Sequence, residues 1–263
     1  TLDINFNELL KIAINASIKG GHAIMKIYSS EFTVEHKEDK SPLTLADKNC
    51  HTIIEQDLMN TDIPILSEEG EKIPYDKRKR WEYYWLIDPL DGTKEFVKRN
   101  GEFTVNIALI HNGMPKMGIV YAPVNKDLYF AMDSLGSYKR SNISEEVSNL
   151  NHLISSSNIL PGEFKRETYT IVGSRSHMSE ETEEFFNQKK KDYGSVKVIA
   201  VGSSLKICMV AEGKADAYPR YAPTMEWDTG AGHAIAKYAG FSVTQYNKDD
   251  EVVYNKENLL NPW

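Results

Sequence analysis

Cysteine is scarce in this chain of 263 residues, with only Cys50 and Cys208, and neither belongs to a CxxC pair. This scarcity excludes a disulfide framework and a cysteine-ligated zinc knuckle. Two isolated cysteines are typical of small buried side chains in a protein of a reducing compartment. Sequence spacing therefore gives no reason to look for a site built on sulfur.

Long apolar runs are also missing. No segment reaches the roughly eighteen uninterrupted apolar residues that a membrane helix needs. The stretch TLDINFNELLKIAINA lacks the basic and apolar segments of a secretory signal. We therefore expect a soluble protein without a transmembrane segment that stays in the cytoplasm, with peripheral contact to the inner face of the membrane as an alternative.

Positive charge is in deficit, since the formal net charge is -7 and the isoelectric point is about 5.6. This balance argues against broad nucleic-acid binding, so no nucleic-acid partner is expected. The basic run KRKR at 77–80 keeps open one alternative, a regulatory protein that binds nucleic acid or a membrane surface. Acidic residues flank the run, which is more typical of a solvated loop.

The apolar pattern indicates a mixed α/β (α+β) chain. Helical spacing covers residues 6–27 and 44–59. Strands are predicted at 84–87, 103–110, 117–121 and 128–131, with a turn at 112–113, as in an antiparallel sheet. Beyond a Ser/Asn/Glu-rich connection, strands at 169–172, 196–201 and 215–218 alternate with helices at 179–189, 203–212 and 229–238. We expect an α+β domain over 1–150 with metal-binding motifs, and an α/β domain over 151–263 with nucleotide-binding residues.

The segment WLIDPLDGTKEF at 85–96 carries the strongest chemical signal. Asp88 and Asp91 leave a buried strand three residues apart, and Pro89 forces Asp88 into an extended conformation. Two carboxylates this close repel each other unless a cation lies between them, and hard divalent cations prefer carboxylate oxygen. Gly92 lets the backbone turn, while the amide and hydroxyl of Thr93 can face a phosphate oxygen. An isolated Asp-Gly pair is usually only a turn; the whole string predicts a metal site.

Three other acidic residues have ordinary roles when each is taken alone. Glu68 follows a short apolar strand and can be a solvated loop residue. Asp228 can be the N-cap of the helix after it. Asp47 stands at N3 of a capping box that Thr44 would begin.

Taken together, SPLTLAD at 41–47, SEE at 67–69, DPLDGT at 88–93 and WDTGAGH at 227–233 resemble the inositol monophosphatase superfamily of magnesium-dependent, lithium-sensitive phosphatases. The resemblance implies that family's layered αβαβα sandwich. It also implies two or three Mg²⁺ per site, held by Glu68, Asp88, Asp91, Asp228 and the main-chain carbonyl of Leu90. Leucine at 90 is often isoleucine in the family, which changes little because only the carbonyl binds. Thr93 and Asp47 would form a pair near the nucleophilic water, with Glu68 beside them.

The motifs VGSRSH at 172–177, GSSLKIC at 202–208 and ADAYPR at 215–220 look most like the 3'(2'),5'-bisphosphate nucleotidases. Arg220 and Lys206 would meet the second phosphate of such a substrate, whereas inositol-specific relatives carry a glutamate around position 220. His177 would lie near the base or sugar, and Ser203 would bond the nucleotide. The ordinary alternatives are a loop histidine, a Ser203 N-cap and a surface lysine.

The activity that this resemblance implies is in-line attack of a Mg²⁺-activated water on the 3'-phosphate of adenosine 3',5'-bisphosphate, giving AMP and phosphate. The 3'-phosphosulfate form of the nucleotide is a second candidate substrate, in the context of sulfur assimilation. Asp47 would help take the proton, while the amides of Gly92 and Thr93 would steady the phosphoryl oxygens and Asp228 would contact the substrate. Alternatives within the fold are an inositol monophosphatase or a sugar bisphosphatase, and the resemblance allows a monomer or a homodimer.

Overall fold

The computed structural model describes residues 3–30, 41–174 and 178–262. Its helices are α1 Phe6–Tyr28, α2 Pro42–Met59, α3 Tyr75–Arg78, α4 Thr93–Lys98, α5 Leu150–Ser155, α6 Glu180–Tyr193, α7 Leu205–Glu212 and α8 Glu226–Tyr238. Its strands are β1 Ile65–Ser67, β2 Tyr83–Asp91, β3 Thr104–His111, β4 Met114–Ala122, β5 Asp127–Met132, β6 Gly136–Arg140, β7 Asn158–Leu160, β8 Tyr169–Gly173 and β9 Val196–Ala200. None of these helices is both long and apolar enough to cross a bilayer.

A seven-stranded sheet forms the centre of the molecule, and its strands follow one another in chain order from β1 to β7. Strand β1 runs parallel to β2, and every later pair is antiparallel. Asn112 and Gly113 join β3 to β4 with φ angles of 47° and 81°, because a tight hairpin turn matches the strand twist only when φ is positive at both residues. The predicted antiparallel sheet and its Asn-Gly turn are confirmed.

Alternate residues of the large sheet serve two separate cores, as a period of two requires. Ile107 and Leu109 pack in the core that α1 and α2 cover, whereas Ala108 and Ile110 pack with α7 and α8. Helix α8 approaches strand β4 closely, since a Cβ built on Gly118 would lie 2.3 Å from the carbonyl oxygen of Ala231. Glycine at 118 therefore lets this helix lie directly on the sheet.

A second, smaller sheet pairs β8 with β9 in parallel, and α6 packs against it. Because α7 contacts both α8 and β8, the layers run from α1 and α2 through the large sheet, then α7 and α8, then the small sheet, and finally α6. This order is the predicted αβαβα sandwich. The domain boundary at residue 150 stays a prediction. Two elements beyond it belong with the large sheet: β7 pairs with β6, and α8 packs on the face of the sheet.

Two local predictions were wrong. The stretch 215–218 is not a strand but forms a single bridge, between Ala217 and Ile171, and Pro219 then brings a backbone nitrogen that cannot donate. Helix α2 begins before Thr44, because Ser41 is its N-cap and accepts the Thr44 amide on Oγ at 3.1 Å. Proline at 42 suits the first turn, where a backbone N–H has no helical partner anyway.

Candidate active site

The ends of β1 and β2 bring the first two acidic motifs together. These strands are parallel and pair Ser67 with Ile87, so the next residue of each, Glu68 and Asp88, emerges at the same edge. The amide of Glu68 continues the ladder by donating to the Ile87 carbonyl at 3.2 Å. The charge of Glu68 then adds to burial in raising the pKa of the Asp88 carboxyl.

A β-bulge turns Asp88 and Asp91 toward the same side. In a regular strand, residues three apart point to opposite faces. Here Asp88 pairs with Asn106 and Asp91 with Thr104, so β2 uses three steps where β3 uses two. The extra residue reverses the alternation, which is how a strand ending in DPLD can present both carboxylates to one site.

Helix α8 supplies the third carboxylate. Asp228, the third residue of α8, accepts the backbone amide of Met225 on Oδ2 at 2.8 Å, so Met225 is the N-cap and the N-cap interpretation of Asp228 is wrong. One carboxylate oxygen from each of Asp88, Asp91 and Asp228 lies within 4.8 Å of the other two. The chain thus gathers three distant acids into a cluster able to hold a metal ion.

The electrostatics of the cluster suit a hard cation. Burial raises the pKa of Asp88 well above its usual range, and the charges of Asp91, Glu68 and Asp228 raise it further. Burial likewise raises the pKa of Glu68, and it raises that of Asp228 to about 6. Oδ1 of Asp88 is buried without a hydrogen-bond partner. An all-oxygen donor set with a free buried lone pair suits a hard divalent cation. That this ion is Mg²⁺, and that Glu68 and the carbonyl of the buried Leu90 complete the donor set, stay predictions.

Asp47, on α2, has a neighbour that we did not predict. Burial raises the pKa of its carboxyl to about 9, with further contributions from the charge of Glu69, a hydrogen bond to Glu69 and the charge of Glu68. Thr93 is an exposed first residue of α4, directly after Gly92 with its φ of 89°. The pairing of Asp47 with Thr93 stays a prediction.

The acidic cluster of Asp88, Asp91 and Asp228 opens into a cavity of about 1140 Å³. Seven of the predicted site residues line it: Asp91, Gly92, Thr93, Ser203, Lys206, Arg220 and Asp228. Lys206 is 7% exposed, and burial lowers the pKa of its amine, as does the nearby Arg220, while Asp91 opposes this shift. Nε and Nη1 of Arg220 are buried without a hydrogen-bond partner. A buried lysine and an arginine with two buried, unpartnered nitrogens, both beside an acidic cluster, suit an anionic ligand. The surface-lysine interpretation of Lys206 is wrong.

Ser203 is held in an unusual conformation. Its φ of 56° is in the left-handed region, and its Oγ is buried without a hydrogen-bond partner. The N-cap of α7 is Ser204, so the N-cap interpretation of Ser203 is wrong. A strained serine with an unused hydroxyl at a cavity wall is typical of a ligand contact.

Further residues of the site gave no sequence signal because they come from separate segments. Asn106 and Ser204 hydrogen-bond Asp91. Tyr221 and Tyr246 lie against each other in the cavity wall with ring centroids 4.4 Å apart, and Phe185 packs on Tyr221 at 6.3 Å. His177, predicted near the base or sugar, lies outside the described residues.

The basic run at 77–80 is partly engaged within the fold. Arg78 is 3% exposed and donates to the side-chain oxygen of Asn255 and to the carbonyls of Lys256 and Glu257, at 2.7–2.8 Å. Lys79 pairs with Asp76 at 3.0 Å. The alternative of a nucleic-acid or membrane surface thus loses two of the four charges on which it depended.

Comparison with known proteins gives consistent results. The model of the inositol monophosphatase family matches residues 5–262. The 3'(2'),5'-bisphosphate nucleotidase CysQ of Salmonella typhimurium is 41% identical over 259 residues, covering 97% of this chain and 96% of the relative. CysQ of Escherichia coli K12 is 40% identical over 260 residues, with the same coverage. The crystal structure of CysQ from Bacteroides thetaiotaomicron is 50% identical with a TM-score of 0.94, covering 98% of this chain and 96% of that one. Mycobacterium tuberculosis SuhB, at 22% identity and a TM-score of 0.68 over 97% of this chain and 90% of its own, shares the fold.

Proposed function

The chain belongs to the inositol monophosphatase family, and we propose that it is a Mg²⁺-dependent 3'(2'),5'-bisphosphate nucleotidase. Its substrate would be adenosine 3',5'-bisphosphate, from which it releases the 3'-phosphate to leave AMP. The relatives at 40–41% identity are 3'(2'),5'-bisphosphate nucleotidases by name. The 3'-phosphosulfate form of the nucleotide is a second substrate of the same chemical class.

One observation carries the choice of substrate: Lys206 and Arg220 line the same cavity as Asp91 and Asp228. A phosphate held at the acids leaves Nε and Nη1 of Arg220 without a hydrogen-bond acceptor. Since buried guanidinium nitrogens without acceptors are costly, a ligand with a second phosphate fits better than a monophosphate with hydroxyls. A nucleoside bisphosphate has both groups on one ribose.

The cavity also offers a surface for a base. Tyr221 and Tyr246 present aromatic rings within a space of about 1140 Å³, more room than a phosphate alone requires. Bases stack on aromatic side chains with little dependence on sequence, at ~1–3 kcal/mol each. An adenine would stack on these two tyrosine rings, whereas an inositol ring has no aromatic face with which to do so.

The predicted metal donors, Glu68, Asp88, Asp91, Asp228 and the Leu90 carbonyl, would hold the Mg²⁺. Bound Mg²⁺ supplies Lewis acidity at the phosphoryl oxygen and lowers the pKa of water. Asp47 would accept the proton of the attacking water, with Glu68 and Glu69 beside it. The amides of Gly92 and Thr93 would donate to phosphoryl oxygens, because the left-handed Gly92 opens the backbone there.

The test is phosphate release from four substrates, each with Mg²⁺ and with EDTA: adenosine 3',5'-bisphosphate, its 3'-phosphosulfate form, inositol 1-phosphate and fructose 1,6-bisphosphate. We expect Mg²⁺-dependent release with the highest kcat/KM for the two nucleotides. A higher kcat/KM for inositol 1-phosphate or for the sugar bisphosphate would overturn the substrate assignment. Undiminished release in EDTA would overturn the metal dependence.

A further inference from the structure

Asp91 is the most tightly held carboxylate of the acidic cluster. Its Oδ2 accepts three hydrogen bonds: from the Ser204 amide at 2.8 Å, the Ser204 hydroxyl at 2.7 Å and the Asn106 amide nitrogen Nδ2 at 3.1 Å. Three donors saturate a carboxylate oxygen, which has two lone pairs. Of the two oxygens, Oδ1 is the one left for another ligand.

The donors are themselves fixed. Thr104 donates its hydroxyl to Oδ1 of Asn106 at 2.9 Å, which determines that the NH₂ end of the Asn106 amide faces Asp91. The second hydrogen of that NH₂ reaches Oγ of Ser204 at 2.8 Å. Thr104 and Asn106 are fully buried, and Ser204 is 3% exposed. Every polar atom of the Asn106 side chain therefore has a partner away from water, and the amide has one orientation.

Ser204 connects this network to two other parts of the site. Its hydroxyl lies 3.2 Å from the backbone carbonyl of Asp228, beyond the shorter contact with Asp91. It also follows the strained Ser203 directly in the chain. The turn that presents Ser203 and the helix that carries Lys206 are thus anchored on Asp91 itself.

We propose that Asn106 and Ser204 are positioning residues for Asp91, which hold its carboxylate in one rotamer with Oδ2 occupied and Oδ1 directed to the metal. This inference rests on the proposed function. Carboxylate oxygens within 4.8 Å of each other repel, and a free Asp91 would turn away from its neighbours when no metal is bound. The three hydrogen bonds to Oδ2 oppose this rotation and keep the site ready, as outer partners of metal ligands commonly do.

The test is titration calorimetry of the metal-free protein with Mg²⁺, without substrate, for Asn106→Leu and Ser204→Ala. Leucine keeps the branched heavy-atom skeleton of asparagine and removes its donors. Loss of such outer partners typically costs ~10–100-fold in metal affinity, and we expect a Mg²⁺ dissociation constant raised within that range. In turnover, Asn106→Leu should raise the Mg²⁺ concentration for half-maximal rate and leave KM for the nucleotide at saturating Mg²⁺ within about twofold.

Ser137→Ala is the matched control, because Ser137 is also buried and donates its hydroxyl to the Ile235 carbonyl at 2.7 Å, away from the acids. It should lose stability and keep the affinity for Mg²⁺. Ser204→Thr retains the hydroxyl and should restore most of the binding that Ser204→Ala loses. If Asn106→Leu fails to fold, Thr104→Val, which only frees the Asn106 amide to rotate, is expected to weaken Mg²⁺ binding by a smaller factor.

Wild-type affinity in Asn106→Leu and Ser204→Ala would overturn this inference, as would an equal loss in Ser137→Ala. Neither result touches the proposed function, which fails instead if the wild-type protein releases phosphate equally well in EDTA. The two failures are thus distinguishable within one set of measurements.

Discussion

At the scale of single residues, Asp88 concentrates the electrostatic cost of the site. It is 1% exposed, and three other carboxylates act on it. Burial and like charge both disfavour its ionised form. Without a cation the cluster can relieve this repulsion only by binding protons, so proton and metal compete for the same oxygens.

This competition predicts how stability depends on pH. In the metal-free protein the folded pKa values of Asp47, Glu68, Asp88 and Asp228 lie above the ~3.9–4.3 of unfolded carboxyl groups. The folded state then holds more protons than the unfolded state, so the free energy of unfolding falls as pH rises. For Asp228 the loss extends from the unfolded pKa up to about 6, and for Asp47 up to about 9.

Urea denaturation in EDTA between about pH 5 and pH 8 measures this slope. The stabilisation by added Mg²⁺ should grow over the same range, because fewer protons must be displaced. Asp88→Asn should flatten the slope, whereas Glu163→Gln, at an exposed position, should not. A metal-free protein that becomes more stable toward pH 8 would contradict the argument.

Arg220 decides between substrates at the same scale. Charge reversal in Arg220→Glu removes the donors for the second phosphate and adds repulsion. Hydrogen bonds to charged groups are worth ~1.5–3 kcal/mol each, so kcat/KM for adenosine 3',5'-bisphosphate should fall by about 100-fold or more. Steady-state kinetics on both substrates would show inositol 1-phosphate turnover nearly unchanged. Arg80→Glu, the same reversal on the exposed surface, is the control; equal losses for both substrates in Arg220→Glu would refute the specificity role.

At the scale of elements, the placement of helix α8 determines whether Asp228 reaches the other acids. The helix lies on β4 through small residues: a Cβ on Gly118 would meet the Ala231 carbonyl at 2.3 Å and the Ala234 side chain at 2.8 Å. Backbone atoms on that side cannot turn away as a flexible side chain would. The distance between α8 and the sheet is therefore set by a residue that is not itself part of the site.

We accordingly expect Gly118→Ala to push α8 away from the sheet and to lower both stability and activity. Overpacking of a core typically costs ~1–3 kcal/mol, which urea denaturation would measure. The weakened contact of Asp228 should also reduce Mg²⁺ affinity in calorimetry. Gly173→Ala is the control, because a Cβ there meets only Phe186 at 3.9 Å. Unchanged stability in Gly118→Ala would mean that α8 adapts at no cost.

At the scale of the whole molecule, the C-terminal segment closes back onto the first half of the chain. Arg78 provides this tie with three hydrogen bonds, and the side chain of Asn255 returns one to the Arg78 carbonyl at 2.9 Å. The side chain of Glu226, at the start of α8, accepts a hydrogen bond from the backbone N–H of Asn255 at 2.7 Å. The tie therefore reaches the element that carries Asp228.

Arg78→Ala should destabilise the protein by about 2–4 kcal/mol, since three acceptors lose a charged donor at once. Arg80→Ala removes the same charge from the exposed part of the run and should change stability by less than about 0.5 kcal/mol. Thermal unfolding of the two variants would compare them. Small and equal losses of stability in both variants would mean that the basic run at 77–80 is a solvated surface patch. Salt-dependent retention of the protein on RNA would then be the next measurement.

The sequence by itself determined the main helices, the central strands of the large sheet and the acidic motifs of this protein. Three features can be recognised from neighbouring residues alone: the period-two pattern of β3 and β4, the Asn-Gly turn and the four acidic motifs. The N-caps were less readable, because several serines and threonines near 41–44 and 203–204 satisfy the same rule. Which one caps depends on where the neighbouring chain lies.

Only the tertiary structure decided which distant atoms meet. No spacing in the chain indicates that a bulge turns Asp88 and Asp91 to one side, that Glu69 reaches Asp47, or that Asn106 and Ser204 hold Asp91. Tyr221 and Tyr246 likewise become a single surface only when their segments fold together. Such contacts join residues far apart in sequence, and their geometry follows from how the five layers pack, which no local pattern encodes.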